Sequence, residues 1–297
     1  MTPRLCLGTA QFGGHDRSRY GLNAQRPPTR AECTEMVRTA ERSGLPFDTA
    51  AAYGVAEELL GSCLSPGVAV TTKLLPLLSS HPDHVTRLIA SEVLASRTRL
   101  RRGDDSSMGV LFHAPKQGAD PPIVAALLAA RDGGLCQHVG TSIYFPAEFD
   151  ALVPGLNSVQ LPYSVFDRRF AEQGVFQRAH DRGMTVYARA PFCQGLVVME
   201  PERVPERLAH ARPYVRTFQC ICAEYGIGPA EAALRFALES PADYIVFGVD
   251  TMAQLEQDLA IATSEPSPAW LALRHVLGQA LRGLPDAVVV PSLWAKE

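Results

Sequence analysis

The feature that most constrains the fold of this chain is a regular alternation of two sequence patterns. Eight short apolar runs with strand character recur along 297 residues, and they alternate with stretches that have the 3.6-residue periodicity of helices. Parallel strands need a crossover segment between them, usually a helix, so the alternation predicts a parallel sheet. The predicted strands are Leu5–Gly8, Pro46–Thr49, Ala69–Lys73, Gly109–His113, His138–Ser142, Ser158–Pro162, Thr185–Ala190 and Tyr244–Gly248.

Eight strand–helix units in a chain of this length fit a closed (β/α)8 barrel better than an open doubly wound sheet. The predicted helices are Arg30–Ser43, Ala56–Leu64, Pro82–Leu100, Pro121–Asp132, Pro146–Leu152, Phe170–Arg182, Val204–Glu239 in two pieces, Ala253–Ala262 and Pro268–Leu281. No linker rich in Pro, Gly or Ser and no low-complexity block divides the chain. A single α/β domain over residues 1–297 is therefore predicted.

Charge and composition exclude several classes of protein. A net charge of −3 gives no basic surface for nucleic acid or an anionic membrane. No apolar run reaches membrane-spanning length, and the first residues lack the long apolar segment of a secretory signal, so a cytoplasmic location is expected. The seven cysteines are scattered and odd in number, without zinc-finger spacing, so we expect reduced thiols and no bound metal.

Four polar residues in the first half of the chain indicate an enzyme. Lys73 and His113 each close an apolar run, and Asp48 closes a shorter one, so all three are expected at the carboxyl ends of strands, where parallel α/β proteins build their active sites. Tyr53 follows Asp48 closely. Together they supply a proton donor, a cation, an anion that keeps the cation charged, and a second polar group for a substrate oxygen.

The segment after the first strand, Gly8–Gly14, does not have the Gly-x-Gly-x-x-Gly pattern of a dinucleotide-binding Rossmann fold, and no Walker-type phosphate loop occurs. The spacing Asp48-Thr-Ala-x-x-Tyr53-Gly54-x-x-Glu57-x-x-Leu60-Gly61, with Lys73 and His113 after later strands, instead resembles the aldo/keto reductase family. The resemblance runs the whole length of the chain. The opening Leu7-Gly-Thr-Ala-Gln-Phe-Gly13 is similar to a bacterial branch of that family.

This resemblance implies a barrel with a nicotinamide cofactor across its carboxyl end and a hydride transfer to a carbonyl carbon. Tyr53 would be the general acid, Lys73 would lower its pKa, Asp48 would hold Lys73, and His113 would orient the carbonyl. The chemistry is consistent with those roles, because a nearby ammonium favours the phenolate and a buried ammonium needs a carboxylate partner. Glu57, expected in the first turn of a helix, is assigned a structural role.

The resemblance also assigns residues to the cofactor. Gly8 and Thr9 match contacts to the nicotinamide ribose, Ser142 and Gln160 match the pair that holds the carboxamide, and Arg189 replaces an aromatic that stacks on the ring. After the last strand the matching positions are Gly248, Asp250, Gln254 and Asp258. Here Asp250 and Asp258 replace the usual basic and Asn positions, and a carboxylate repels a 2′-phosphate but accepts a hydrogen bond from a ribose hydroxyl. NADP(H) and NAD(H) are therefore both open.

Three functions remain open from the sequence. The first is an NAD(P)H-dependent reductase acting on a small carbonyl or sugar-like substrate. The second is a redox-neutral isomerase or lyase that reuses the same four polar residues, since one barrel hosts many chemistries. The third is a non-catalytic subunit, of a kind that the resembled family also contains, that binds the cofactor and a partner protein. Candidate substrate loops are His15–Tyr20, Pro76–Pro82 and Phe192–Pro213, with Tyr144 and Tyr163 as possible wall residues; oligomeric state is not readable.

Overall fold

Eight parallel strands close into a barrel in which each strand pairs with its neighbours in chain order and the last pairs with the first. The computed structural model describes residues 4–14, 22, 27–77, 82–103 and 107–294. The predicted (β/α)8 barrel is confirmed. The strands are β1 Leu5–Gly8, β2 Phe47–Asp48, β3 Val70–Leu74, β4 Met108–Phe112, β5 His138–Ser142, β6 Ser158–Pro162, β7 Thr185–Arg189 and β8 Tyr244–Gly248.

Helices follow the strands on the outside of the barrel. They are α1 Arg30–Arg42, α2 Ala56–Cys63, α3 Pro82–Arg99, α4 Pro115–Gly118, α5 Pro121–Asp132, α6 Pro146–Asp150, α7 Arg169–Glu172, α8 Val175–Asp181, α9 Arg212–Glu224, α10 Pro229–Leu238, α11 Met252–Thr263, α12 Pro268–Gln279 and α13 Asp286–Val289. Short 3₁₀ turns cover Ala10–Phe12, Cys193–Val198, Pro201–Arg203, Glu206–Ala211 and Pro291–Leu293.

Two helical predictions differ from the structure. The stretch Phe170–Arg182 is two helices, α7 and α8, because Gly174 between them has a left-handed backbone with φ +65°. The stretch Val204–Glu239 begins with a 3₁₀ turn before α9 and α10, and α4 was not predicted at all. A helix of four residues is too short to show a 3.6-residue repeat, which explains its absence from the prediction.

Strand register brings the predicted site residues to one level. Gly8 of β1 lies opposite Asp48 of β2 on one side and Gly248 of β8 on the other. Ser142 lies opposite Gln160 on β5 and β6. Since all eight strands are parallel, their carboxyl ends form a single rim, and side chains from distant parts of the sequence meet there.

Two hydrophobic clusters hold the rim in place. The larger joins the barrel to the surrounding helices and includes the buried Phe47, Phe112 and Phe149. The smaller joins the segment after β7 to α9, α12 and the chain beyond, around Phe218 and Trp270. In the described part of the chain no helix is long and apolar enough to span a bilayer, and no group of three potential metal ligands occurs there. All seven cysteines are free, and all but Cys63 and Cys220 are buried.

Candidate active site

Lys73 and Asp48 form a buried ion pair at the carboxyl end of the barrel. The Lys73 ammonium donates to Asp48 Oδ1, with an Nζ–O distance of 2.5 Å, and to the carbonyl oxygen of Thr49, with an Nζ–O distance of 3.0 Å. Their side chains are 1% and 4% exposed. Nζ also lies 5.4 Å from the centroid of the Tyr53 ring. The pair therefore places a fixed positive charge beside a phenol, in a region from which water is largely excluded.

A tight turn after β2 places Tyr53. The Tyr53 amide donates to the carbonyl of Ala50, with an N–O distance of 2.9 Å. The amide of Val55 donates to the carbonyl of Gly13, with an N–O distance of 3.2 Å. Gly54 between them has φ +55°, and a Cβ at this position would lie 2.2 Å from the Gly13 oxygen. Only glycine fits this turn. The Tyr-Gly pair in the sequence therefore has a steric cause.

His113 completes the group. Its ring lies 5.9 Å from the Tyr53 ring, centroid to centroid, at an interplanar angle of 89°. Burial, the largest cause, and the positive charges of Lys73 and Arg189 together lower the pKa of His113 to about 4. The imidazole is therefore neutral at neutral pH. A neutral ring has one N–H donor, so His113 can donate to a carbonyl oxygen without bringing a charge.

Gln160 has a contact that the sequence did not reveal. Its side-chain amide Nε2 donates to Asp48 Oδ2 over 2.8 Å, and Gln160 is 1% exposed. Both Asp48 oxygens thus have a buried donor, Lys73 on one and Gln160 on the other. Gln160 was assigned to the cofactor alone; the structure also makes it a support of the carboxylate that holds Lys73. No local pattern could show this bond, because it joins residues 112 positions apart.

Thr9 and Glu57 are tied into the scaffold. The Thr9 hydroxyl donates to the carbonyl of Asp48 over 3.1 Å. The carboxylate of Glu57, a residue that is 1% exposed, accepts hydrogen bonds from Thr72 Oγ1 at 2.5 Å and from Arg99 Nε at 2.6 Å. Glu57 therefore joins α2 to β3 and α3, away from the rim, in agreement with the structural role expected of it.

A cavity of about 670 Å³ opens above the rim, a size typical of small-molecule and cofactor sites. Every residue that the sequence assigned to catalysis or to the cofactor lines it: Gly8, Thr9, Asp48, Tyr53, Lys73, His113, Ser142, Gln160, Arg189, Gly248, Asp250, Gln254 and Asp258. Tyr144 lines it as well. Tyr163 does not; it stacks on Phe236 at 5.7 Å in the core.

Other lining residues were not singled out from the sequence. Gln11 follows β1, and Pro291 and Ser292 come from the last 3₁₀ turn, far from any recognisable motif. The loop after β7 contributes Phe192 and Gln194, as expected, with Gln194 in a left-handed conformation at φ 56°. Such strained backbone is typical of binding sites. The candidate loop His15–Tyr20 and most of Pro76–Pro82 lie outside the described residues.

The end of the cavity next to α11 is acidic. Asp258, 4% exposed, is on α11, and burial alone raises the pKa of its carboxyl to about 7. Burial also raises the pKa of Asp250, whose Oδ1 is buried without a hydrogen-bond partner. From β8 onward, no described lining residue is Lys or Arg. The two carboxyls therefore line the cavity, and Asp250 Oδ1 has unused hydrogen-bonding capacity.

Replacing Asp258 with Asn is expected to stabilise the ligand-free protein at pH 8 and not at pH 4. The folded state holds the Asp258 pKa near 7, above the unfolded value near 4, so the neutral form favours folding at low pH and this advantage is lost as the pH rises from about 4 to about 7. The gain for Asp258→Asn at pH 8 is about 2–4 kcal/mol in the free energy of unfolding. Urea unfolding at both pH values measures it.

The matched control is Glu256→Gln, which removes a negative charge from the exposed side of the same helix. This variant should unfold like the wild type, within about 0.5 kcal/mol, at both pH values. A pH-independent gain for Asp258→Asn, or an equal gain for Glu256→Gln, would contradict the account of the buried carboxyl.

Comparisons with known proteins identify the family of the chain. The model of the aldo/keto reductase family matches residues 4–269. Among curated proteins, uncharacterized oxidoreductases from Mycobacterium bovis and Mycobacterium tuberculosis are 26% identical, with 89% of this chain and 85% of theirs aligned.

Solved structures give the same fold. A glycerol dehydrogenase from Gluconobacter oxydans superposes with a TM-score of 0.69 at 20% identity, covering 95% of this chain and 94% of that one. A putative aldo-keto reductase from Pseudomonas aeruginosa has a TM-score of 0.62 at 17% identity, covering 87% of this chain and 89% of that one. With the family model matched over most of its length, the chain belongs to the aldo/keto reductase family and is an oxidoreductase.

Proposed function

We propose that the protein reduces the carbonyl group of a small aldehyde, ketone or sugar-like molecule to an alcohol, with a reduced nicotinamide cofactor and with Tyr53 as the general acid. One observation carries this proposal. The Lys73 ammonium is paired with Asp48 at 2.5 Å and lies 5.4 Å from the centroid of the Tyr53 ring. A phenol beside a permanent cation is suited to giving up its proton, which a free tyrosine does poorly at neutral pH.

Each side chain has one role in the proposed reaction. Tyr53 gives its proton to the carbonyl oxygen as negative charge develops there. Lys73 stabilises the phenolate that remains, and Asp48, held by Gln160, keeps Lys73 in place. His113, neutral because its pKa is about 4, donates a hydrogen bond that orients the carbonyl.

The residues of the cavity fit a nicotinamide dinucleotide. Ser142 and Gln160 lie opposite each other on neighbouring strands, and the Gln160 Nε2 bond to Asp48 leaves Oε1 to accept from a carboxamide. At the other end, the unpartnered buried Asp250 Oδ1 is suited to a ribose hydroxyl. Thr9, Gly8, Gly248, Gln254 and Asp258 line the space between or beside them. When bound there, the reduced cofactor would supply the hydride.

We expect the protein to bind NADH at least about tenfold more tightly than NADPH, a difference of about 1.4 kcal/mol. Asp250 and Asp258 line this end, and none of the described residues that line it is basic, so a 2′-phosphate would meet repulsion. The start of α11 offers little to an anion, because the amides of Asp250 and Thr251 already donate to Gln254 Oε1, and the Gln254 amide donates to Thr251.

Asp250→Asn tests that preference. At pH 8, above the Asp258 pKa of about 7, the variant should bring the ratio of the NADPH to the NADH dissociation constant, measured by calorimetry, closer to one, since it removes a carboxylate charge from this end. Glu256→Gln, on the exposed side of α11, is the matched control and should leave the ratio close to that of the wild type. If the wild type binds NADPH more tightly than NADH, or if Asp250→Asn leaves the ratio of the two dissociation constants unchanged, these carboxyls do not determine the preference between the two cofactors.

The same acidic end is the observation that favours a redox-neutral isomerase or lyase, since the described residues there include no base to pair with the phosphates of a dinucleotide. The two functions differ in electron balance. The experiment is to incubate the protein with NADH and a panel of aldehydes, ketones and aldoses, and to measure cofactor consumed and alcohol formed. Equal amounts of the two would support the reductase. Product that forms without NADH consumption would favour the isomerase or lyase.

A further inference from the structure

Arg189 is a cation in the cavity without a counter-ion among the described residues. Its guanidinium carbon lies 4.5 Å from the centroid of the Tyr144 ring. One guanidinium nitrogen donates to the carbonyl of Ile143, with an N–O distance of 3.3 Å. No carboxylate in the described part of the chain lies within ion-pair distance of it. A guanidinium has five N–H donors, so most of this donor capacity is unused.

The charge of Arg189 acts at the reactive end of the cavity, where Tyr53 and His113 lie. The side chain starts at the end of β7 and reaches the carbonyl that follows β5. His113, directly after β4, which neighbours β5, has its pKa lowered in part by this charge. Lys73, the other cation there, is neutralised by Asp48. The described residues thus give the reactive end a net positive charge, while Asp250 and Asp258 make the far end acidic.

We propose that the substrate carries an anionic group close to its carbonyl, a carboxylate or a phosphate, and that Arg189 binds this group. The proposal rests on the function proposed above and names its substrate class. The stack on Tyr144 fixes the plane of the guanidinium, and a fixed fork of N–H donors suits the paired oxygens of a carboxylate or phosphate. The acidic far end repels the same group, so the cavity orients an anionic substrate with its carbonyl toward Tyr53 and His113.

Binding measurements without turnover test this inference. Calorimetry compares oxamate, which has a carboxylate beside a carbonyl that is not readily reduced, with its neutral diamide, oxamide, and with inorganic phosphate. Wild-type protein should bind an anion at least about tenfold more tightly than oxamide, and Arg189→Gln should lose at least about tenfold of that affinity. Tighter binding of oxamate points to an oxo acid, and tighter binding of phosphate to a phosphorylated carbonyl.

Two further variants sharpen the result. Arg189→Lys keeps the charge without the planar fork and should bind both anions with affinities between those of the wild type and Arg189→Gln. Arg274→Gln removes an arginine that pairs with Glu239 on the surface, and should bind like the wild type. Thermal unfolding of each variant shows whether it is folded, so that lost binding is assigned to the site.

Several outcomes overturn the proposal. One is wild-type protein that binds neither anion more tightly than oxamide, and another is Arg189→Gln with wild-type affinity. A third is displacement of both anions from the wild type by saturating NADH, because Arg189 would then bind the phosphates of the dinucleotide. If anions bind through Arg189 but neither NADH nor NADPH binds, the anion site is supported and the reductase function is contradicted. Failure of the anion proposal can therefore be distinguished from failure of the proposed function.

Discussion

Tyr53→Phe is expected to lower kcat for carbonyl reduction by about 10²–10⁴-fold, the usual contribution of a positioned general acid. The substitution removes only the hydroxyl, and the ring can keep its edge-to-face contact with His113. The loss arises because neither described neighbour of Lys73 replaces the phenol as an acid: His113 is neutral, with a pKa of about 4, and Asp48 is occupied by Lys73 and Gln160. Steady-state kinetics with NADH measures the effect.

Tyr244→Phe is the matched control. Tyr244 begins β8 at the opposite end of the barrel, where its ring stacks on Tyr187 at 5.1 Å, and it does not line the cavity. Loss of its hydroxyl should leave kcat within about twofold of the wild type, since surface and peripheral substitutions rarely exceed about 0.5 kcal/mol. If Tyr53→Phe also keeps wild-type turnover, Tyr53 is not the proton donor and the proposed mechanism is wrong.

Lys73→Met should destabilise the protein by about 3–5 kcal/mol in addition to abolishing efficient turnover. Methionine fills a similar volume, so the main cost is electrostatic. It leaves the Asp48 carboxylate, 4% exposed, with Gln160 as its remaining donor. An uncompensated charge of this kind is costly because burial removes the water that would otherwise solvate it. Urea unfolding of the ligand-free protein measures the change in the free energy of unfolding.

A second substitution separates charge from packing. Asp48→Asn combined with Lys73→Met removes both charges, and the double variant should recover a large part of the stability lost by Lys73→Met alone. Arg274→Met breaks the exposed pair with Glu239 at 3.3 Å and should cost about 1 kcal/mol or less. Equal losses for Lys73→Met and Arg274→Met, or a double variant no more stable than Lys73→Met, would contradict the buried ion-pair account.

The barrel could be predicted from the sequence because its pattern is local and repeated. Each strand is a short apolar run and each long helix has its own periodicity, so the eight strands agree with the structure to within a residue or two at each end. The split of Phe170–Arg182 into α7 and α8 was missed, because the turn at Gly174 interrupts a stretch whose apolar spacing still appears helical. Short turns such as α4 leave no periodic signal.

The site was partly predictable for a different reason. Residues at strand ends are brought to one rim by the fold itself, so Asp48, Lys73 and His113 could be grouped before any distance was known. Contacts between side chains across the barrel could not be predicted in this way. The bond from Gln160 to Asp48 and the stack of Arg189 on Tyr144 depend on side-chain directions in three dimensions. Pro291 and Ser292 reach the cavity because the chain after α12 packs back over the rim.

The burial of Asp258 was also beyond the sequence. The helix pattern places it on α11, but a charged residue in an amphipathic helix is usually exposed, and nothing local distinguishes it from Glu256. Only the structure shows that Asp258 faces the cavity with a raised pKa. This single difference between neighbouring acidic residues underlies the expected pH dependence of stability, and Asp258 together with Asp250 underlies the expected preference for NADH.

Calorimetric titration of the purified protein with NADH and, separately, with NADPH tests whether it is a nicotinamide-dependent enzyme. We expect micromolar binding of NADH and weaker binding of NADPH, because we propose that Gln160 holds the carboxamide and that Asp250, with its unpartnered Oδ1, accepts from a ribose hydroxyl and repels a 2′-phosphate. Binding of neither cofactor would contradict this proposal. The four polar residues at the rim would then have to act without hydride transfer, as a redox-neutral enzyme.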